Sequence, residues 1–384
     1  MRAETCILDN MQVIALSHLR WDFVYQRPQH LLSRFAKRGR VFFWEEPIFD
    51  SDSPRLDLSK REDGLTVCVP HLPAGTAEED SFRMQRELLD GLLASEDFRE
   101  YAAWYYTPMA MNFSRHLDPA VTVYDCMDEL SAFRGAPPGL RHAEAELFQR
   151  ADLVFTGGQS LYEAKRNQHR NAHPFPSSID TEHFKQARVQ QAEPADQQAI
   201  PHPRIGFAGV IDERLDIQLL GDVAKLRPDW HLVMLGPVVK ISDNDLPKAP
   251  NIHYLGSKNY KDLPAYMSGW DIGMLPFARN ESTRYISPTK TPEYLAAGLP
   301  VVSTSITDVV RPYGELGLVS IADDPEAFVK ACDTLLPLKH DTERLVQADK
   351  FLATNSWDIT WGKMNDLLHR HMRRSADASV AQAS

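Results

Sequence analysis

The sequence predicts an α/β protein of two Rossmann-like, doubly wound domains that face a central cleft. Three observations predict it. Short apolar runs alternate with amphipathic stretches from residue 13 to residue 156, the alternation restarts after a polar interval, and 384 residues suffice for two cores without staples. Apolar residues at 43% and charged residues at 25% match ordinary globular chains, which excludes disorder, collagen and coiled coil as global descriptions. The net charge of −11 argues against nucleic acid as a partner.

Each element has its own justification. Residues 13–17 (VIALS) are short and apolar and lead into a long polar loop, so they read as a buried strand. Residues 28–37 set Leu31, Leu32 and Phe35 on one helical face. Residues 41–44 (VFFW) read as the next strand, followed by strands at 65–69, 104–106, 121–124 and 153–156. Residues 185–203 are rich in Gln and Pro, lack an apolar period, and read as a linker. Beyond it strands are expected at 204–208, 231–235, 252–255, 271–275, 300–303 and 317–321. The chain thus divides into an N-terminal domain (1–185), a linker (186–203), a C-terminal domain (204–355) and a closing segment (356–384). That closing segment reads as an amphipathic helix that packs back on the N-terminal domain and ends in a frayed tail.

Cys6, Cys68, Cys126 and Cys332 lie far apart with no C-x-x-C spacing, as reduced thiols do. No apolar run approaches the ~18 residues of a membrane span, and the first residues lack the apolar core of a signal peptide. A cytoplasmic protein is expected. Arg34, Lys37, Arg38 and Arg40 form one basic cluster, and His369, Arg370, His371, Arg373 and Arg374 form another. Both read first as solvated faces; the lesser alternative is peripheral contact with anionic lipid at the inner membrane face. The histidines show no metal-ligand spacing, so no metal is expected.

Ligands of open α/β sheets bind beyond the carboxyl ends of the strands, and four segments there carry chemistry. In residues 287–303 (SPTKTPEYLAAGLPVVS), Ser287, Pro288 and Thr289 open a helix whose first turn offers N–H groups to an anion, with Lys290 adding charge. Glu293, one turn on, suits a ribose diol. The alternative is an ordinary capped helix with solvated charges. In residues 206–220 (GFAGVIDERLDIQLL), Gly206 and Gly209 let backbone approach a ligand, and Arg214, oriented by Asp212 or Asp216, suits a diphosphate. In residues 18–30 (HLRWDFVYQRPQH), the loop is long and rich in aromatic and hydrogen-bonding residues, and Trp21, Asp22, Tyr25 and Arg27 shape a ligand pocket or else pack the loop on its own domain. In residues 121–133 (VTVYDCMDELSAF), Asp125 follows a strand directly, with Asp128 close behind; either faces a ligand at the strand end or caps the next turn.

The segment 287–303 resembles the donor-binding signature of retaining, family-4-like glycosyltransferases of the GT-B fold, of the bacterial cell-surface polysaccharide type. There a Glu followed by A-x-G-x-P-V-V binds the ribose of a nucleotide sugar; here the matching residues are Glu293, Ala296, Gly298, Pro300, Val301 and Val302. Where that pattern has an earlier Glu, this chain has Tyr285. The resemblance implies a hexosyltransferase that takes a UDP- or GDP-sugar, with no obligatory cofactor, and moves the sugar to a glycan or lipid-linked acceptor with retention. It implies donor contacts at Gly209, Arg214, Ser287, Pro288, Thr289, Lys290 and Glu293, and an acceptor or donor-sugar pocket at Trp21, Asp22, Tyr25 and Arg27. It also implies catalytic roles for Asp125, Asp128, Arg214 and Lys290, with Asp125 or Asp128 binding sugar hydroxyls or stabilising charge at the anomeric carbon. Two alternatives stay open. A nucleotide-sugar epimerase of the same fold would isomerise donor without acceptor; a non-catalytic nucleotide-sugar binding protein would neither transfer nor hydrolyse it.

Overall fold

The computed structural model describes residues 11–62, 64–189 and 191–383, with side chains through residue 372. The first ten residues, Cys6 among them, and the side chains of Arg373, Arg374 and the tail lie outside the described residues.

The N-terminal sheet contains β1 (Gln12–Leu16), β2 (Arg40–Trp44), β3 (Ile48–Ser51), β4 (Arg55–Glu62), β5 (Leu65–Pro73), β6 (Tyr101–Tyr105), β7 (Val121–Cys126), β8 (Leu153–Thr156) and β9 (Ala172–Pro174). Its order is β3-β5-β2-β1-β6-β7-β8-β9, parallel except where β4 pairs antiparallel with β5. The second sheet contains β10 (Arg204–Ala208), β11 (His231–Leu235), β12 (Ile252–Gly256), β13 (Ile272–Leu275), β14 (Val301–Ser303) and β15 (Ser320–Ile321), in the order β12-β11-β10-β13-β14-β15, all parallel. The α/β class and the two facing sheets agree with the expectation from sequence.

Alternation along the central strands explains the layering. Val13, Ala15, Val41, Phe43, Ala102 and Trp104 enter one core; Ile14, Leu16, Phe42, Trp44, Ala103 and Tyr105 enter the other. A strand buried on both faces needs apolar residues in both phases, which is why these segments read as continuous apolar runs. In the second sheet, glycines make room for rings. A Cβ on Gly206 would lie 2.0 Å from the Trp270 ring, and one on Gly273 would lie 2.6 Å from Tyr294. Gly206 therefore serves packing rather than approach to a ligand.

Strands β3, β4 and β9 have no counterpart in the sequence reading. β4 (RLDLSKRE) is mostly exposed, its alternation is limited to Leu56 and Leu58 before charged residues follow, and backbone pairing to β5 makes it a strand. β9 has three residues, too few for a period.

The polar stretch after residue 185 is not a free tether. Arg188 bonds both Asp349 oxygens at 2.8 Å and the carbonyls of Ala296 and Leu295; fully buried Gln197 accepts the Trp270 indole N–H at 2.9 Å. Ile179, Phe184 and Ala187 already belong to the C-terminal core, so the boundary falls near residues 176–178. The return crossing is beside it. Asn355 donates to the Ser177 carbonyl, and the Ser178 and Thr360 hydroxyls are 2.6 Å apart. The helix Trp357–Ala383 then lays Trp357, Met364 and Leu368 on the N-terminal core. No helix of the described residues is long and apolar enough to cross a membrane.

Candidate active site

The carboxyl ends of β1, β7 and β10 converge on a cleft with two adjoining cavities, of about 300 Å3 and about 170 Å3. Both are lined by Val24, Tyr25, Gly209, Val210 and Lys290, so Lys290 stands at their junction. The larger cavity is closed by Trp21, Asp22 and Phe23 of the N-terminal domain and by residues 257–260 of the C-terminal domain. The smaller holds Arg27 and Asp128 on one side and Arg214, Ser287, Pro288 and Thr289 on the other.

The helix with Lys290 and Glu293 spans Lys290–Ala296, shorter than the sequence implies. Ser287 does not cap it. Its Oγ accepts the Ser177 N–H at 3.4 Å, and its carbonyl accepts the Ser177 hydroxyl at 2.5 Å, so Ser287 is tied to the segment that crosses between the domains. Thr289 stands at the helix start without a side-chain cap bond. With only seven helical residues, the positive charge offered to an anion here comes chiefly from Lys290. Its Nζ bonds Glu293 Oε2 at 2.9 Å. Burial pushes the Glu293 carboxyl above its usual range, and Lys290 acts against that. Tyr285, at the place of the missing Glu, packs against the N-terminal core instead.

Gly209 sits where β10 ends. Its carbonyl is so close to Gly236 that a Cβ there would lie 1.8 Å away, which keeps this wall backbone-lined. Arg214 is gripped by Asp212 through Nε at 3.0 Å and Nη2 at 2.7 Å, and its guanidinium lies 5.6 Å from the Phe133 ring of the other domain. Asp216 instead caps the following helix by accepting the Leu219 N–H. Burial raises the Asp128 carboxyl, while Arg214 and then Arg27 draw it down.

Asp125 does not reach the cleft surface. It is fully buried behind Arg27, whose Nε lies 3.0 and 3.1 Å from its two oxygens and whose Nη2 lies 2.8 Å away. Arg27 Nη1 donates to the Phe175 carbonyl at 2.7 Å. With three N–H groups so used, one donor on each terminal nitrogen remains for the cavity. Trp21 and Asp22 are also held: the Trp21 N–H donates to Glu45 at 2.8 Å, and Asp22 takes a two-pronged bond from Arg61. Trp21 packs edge-on against Phe43.

Sequence reading passed over His18 and the cluster around Tyr260. His18 stands just past β1, its Nδ1 buried without a partner, and burial pushes its pKa down to about 4. Its place beyond a strand end was the available signal. His30, His183 and Tyr260 join Tyr25 in a ring cluster that three separate chain segments build, which no local pattern announces.

The two domains also touch beyond the cavities. The Ser160 N–H donates to Asp308 Oδ1 at 2.9 Å, and Arg311 pairs with Glu163 at 3.1 Å. Gly158 permits the first contact, since a Cβ there would lie 2.3 Å from Asp308 Oδ2. Among the described residues no group of three His, Cys, Asp or Glu is placed to hold a metal ion.

Residues 202–337 match the family described as Glycosyl transferases group 1. The chain is 27% identical over 293 residues, 71% of this chain and 72% of the relative, to a Bacillus subtilis (strain 168) protein assigned to teichuronic acid biosynthesis as glycosyltransferase TuaH. Among solved structures, sucrose-phosphate synthase from Thermosynechococcus elongatus superposes with a TM-score of 0.72 at 13% identity, covering 94% of this chain and 99% of that one. Anabaena HepE, solved with UDP and glucose, gives 0.64 at 13% identity over 94% and 99%. A Burkholderia xenovorans UDP-forming trehalose-phosphate synthase, solved with glucose-6-phosphate, gives 0.64 at 12% over 94% and 100%. With a glycosyl transferases group 1 domain over residues 202–337 and two facing parallel-sheet domains of the GT-B kind, the chain is a glycosyltransferase.

Proposed function

We propose that the chain moves a sugar from a UDP- or GDP-sugar to a glycan or lipid-linked acceptor with retention of configuration, in bacterial polysaccharide or glycoconjugate synthesis. One observation carries the reading: Lys290 stands where the two cavities meet, with the buried Glu293 carboxylate bonded behind it at 2.9 Å. The nucleoside takes the larger cavity, with Glu293 accepting its ribose hydroxyls once Lys290 turns to the diphosphate. The sugar takes the smaller one. The UDP and glucose of HepE and the glycan context of TuaH support the substrate classes.

In this reading Lys290, Arg214 and the backbone at Gly209 stabilise the charge that develops on the departing diphosphate. The C1–O bond breaks with its electron pair going to that oxygen. The acceptor oxygen attacks C1 from the same face and gives its proton to the leaving oxygen. Asp128 offsets positive charge at C1 or holds a sugar hydroxyl, and Arg27 orients the sugar, with Asp125 as its positioning residue. No paired acid and base of the glycosidase kind is then needed, and closure of the domains excludes water. A lipid-linked acceptor would bring the protein to the inner membrane face from the cytoplasm.

Calorimetric titration with UDP, GDP and their sugar conjugates tests the reading. Glu293→Ala is expected to weaken donor binding by roughly 10-fold or more, as loss of a charged hydrogen-bond acceptor does. Unchanged affinity would overturn the ribose assignment, and inversion at C1, seen by NMR of the product, would overturn retention.

A further inference from the structure

Tyr260 stands on the short turn Tyr260–Asp262 beyond β12, on the wall of the larger cavity. Its ring is enclosed. The His183 imidazole stacks on it at 4.4 Å between centroids with planes 14° apart, and Tyr25 lies at 4.7 Å with planes 30° apart. Two near-parallel rings this close cannot share one face, so both faces are taken. Phe184 and His30 lie edge-to-face with it, each 5.5 Å away. A ring so placed cannot stack on a nucleobase. What it offers a ligand is its hydroxyl, which is shielded from solvent and has no hydrogen-bond partner. A buried hydroxyl left unpaired is costly, and of the described residues with such an unpaired buried atom, Tyr260 is the one that lines either cavity.

The surroundings say what the hydroxyl meets. After burial, the negative charge of Glu293 does most to hold its proton in place. Lys290 lines the same cavity and bonds Glu293. We infer that the Tyr260 hydroxyl is a donor-binding group that hydrogen-bonds the ribose of the nucleotide beside Glu293. Because Tyr25 comes from the other domain, closure of the cleft holds this hydroxyl in place. The inference rests on the proposed nucleotide donor and adds a second ribose contact to it.

The test compares the wild-type chain with Tyr260→Phe. The substitution keeps every ring contact and removes no existing bond, so the melting temperature without ligand is expected not to fall. Binding is measured by calorimetry with UDP and GDP and with their 2′-deoxy and 3′-deoxy counterparts. Tyr260→Phe is expected to bind the nucleoside diphosphate roughly 3- to 10-fold more weakly, the loss typical of one neutral hydrogen bond. Removing the contacted ribose hydroxyl should cost the wild type more than it costs the variant, the difference matching the loss caused by Tyr260→Phe, because the bond to Glu293 is lost in both. Equal affinity of the two proteins would overturn the inference while leaving the donor reading intact. Weaker binding with an undiminished deoxy penalty would also overturn it, placing the hydroxyl at the base. Failure of the wild type to bind either diphosphate would overturn both.

Discussion

Arg27 and Asp125, 98 residues apart in the chain, form a buried bidentate pair that presents the arginine rather than the aspartate to the cleft. The strand end at β7 supplies the carboxylate, and the first turn of the helix Arg27–Ala36 supplies the guanidinium. Breaking such a pair leaves a buried charge uncompensated, which costs far more than the pair gains over apolar packing.

Asp125→Asn is therefore expected to lower unfolding stability by about 3 kcal/mol and to reduce turnover, because Arg27 loses its fixed direction. Affinity for the nucleoside diphosphate alone should stay near the wild-type value, since the larger cavity is untouched. Chemical denaturation and calorimetry read both quantities. Turnover unchanged with stability lost would reduce the pair to a structural role.

The bond from the Ser160 N–H to Asp308 joins the two domains, and it is expected to act as a latch on the cleft. Gly158→Ala pushes a methyl group into Asp308 Oδ2 from 2.3 Å, and Asp308→Ala removes the acceptor. Either change is expected to raise the population of open molecules, seen as a larger radius of gyration by small-angle scattering without ligand. The donor KM should rise a few-fold with little loss of melting temperature. Scattering curves that superpose on the wild type would dismiss the latch.

Two buried imidazoles make stability sensitive to acid. Burial, aided by Arg34 and Lys290, pushes His30 down to about 2, and burial pushes His18 down to about 4. The unfolded chain takes up these protons near the ordinary histidine value of ~6.5, where the native chain does not. Stability from this source is thus full above pH ~6.5 and declines as pH falls below it. The raised carboxyls of Glu293 and Asp128 act in the opposite sense, so the variant His30→Phe isolates the effect. Its melting temperature relative to the wild type should climb as pH is lowered from about 7 to 4.5. Parallel curves would show that His30 does not titrate differently on folding.

The site was legible in uneven measure. Lys290 and Glu293 are readable because their spacing lies within one local helix-forming stretch. Asp128 is readable as a polar residue just past a strand, and Arg27 as a basic residue where the long polar loop after the first strand meets the first helix. The deep position of Asp125 is not, since a strand end says nothing of what packs over it. Tyr260 and His18 were passed over because what distinguishes them, an unpaired polar atom in a buried place, exists only after distant segments meet.

Along the chain, apolar runs without polar phase determined the parallel strands, and one seventeen-residue stretch pointed to the proposed donor site. Those are local properties, set by backbone period and residue type. Tertiary structure decided the rest: that Arg188 and Gln197 of the polar stretch pack on the C-terminal domain, that Ser287 bonds the crossing segment at Ser177 instead of capping a helix, and that Arg27 stands in front of Asp125. Each depends on which surfaces are brought together by the two chain crossings near Ser177 and Asn355, and burial of paired polar groups, not sequence period, selects them.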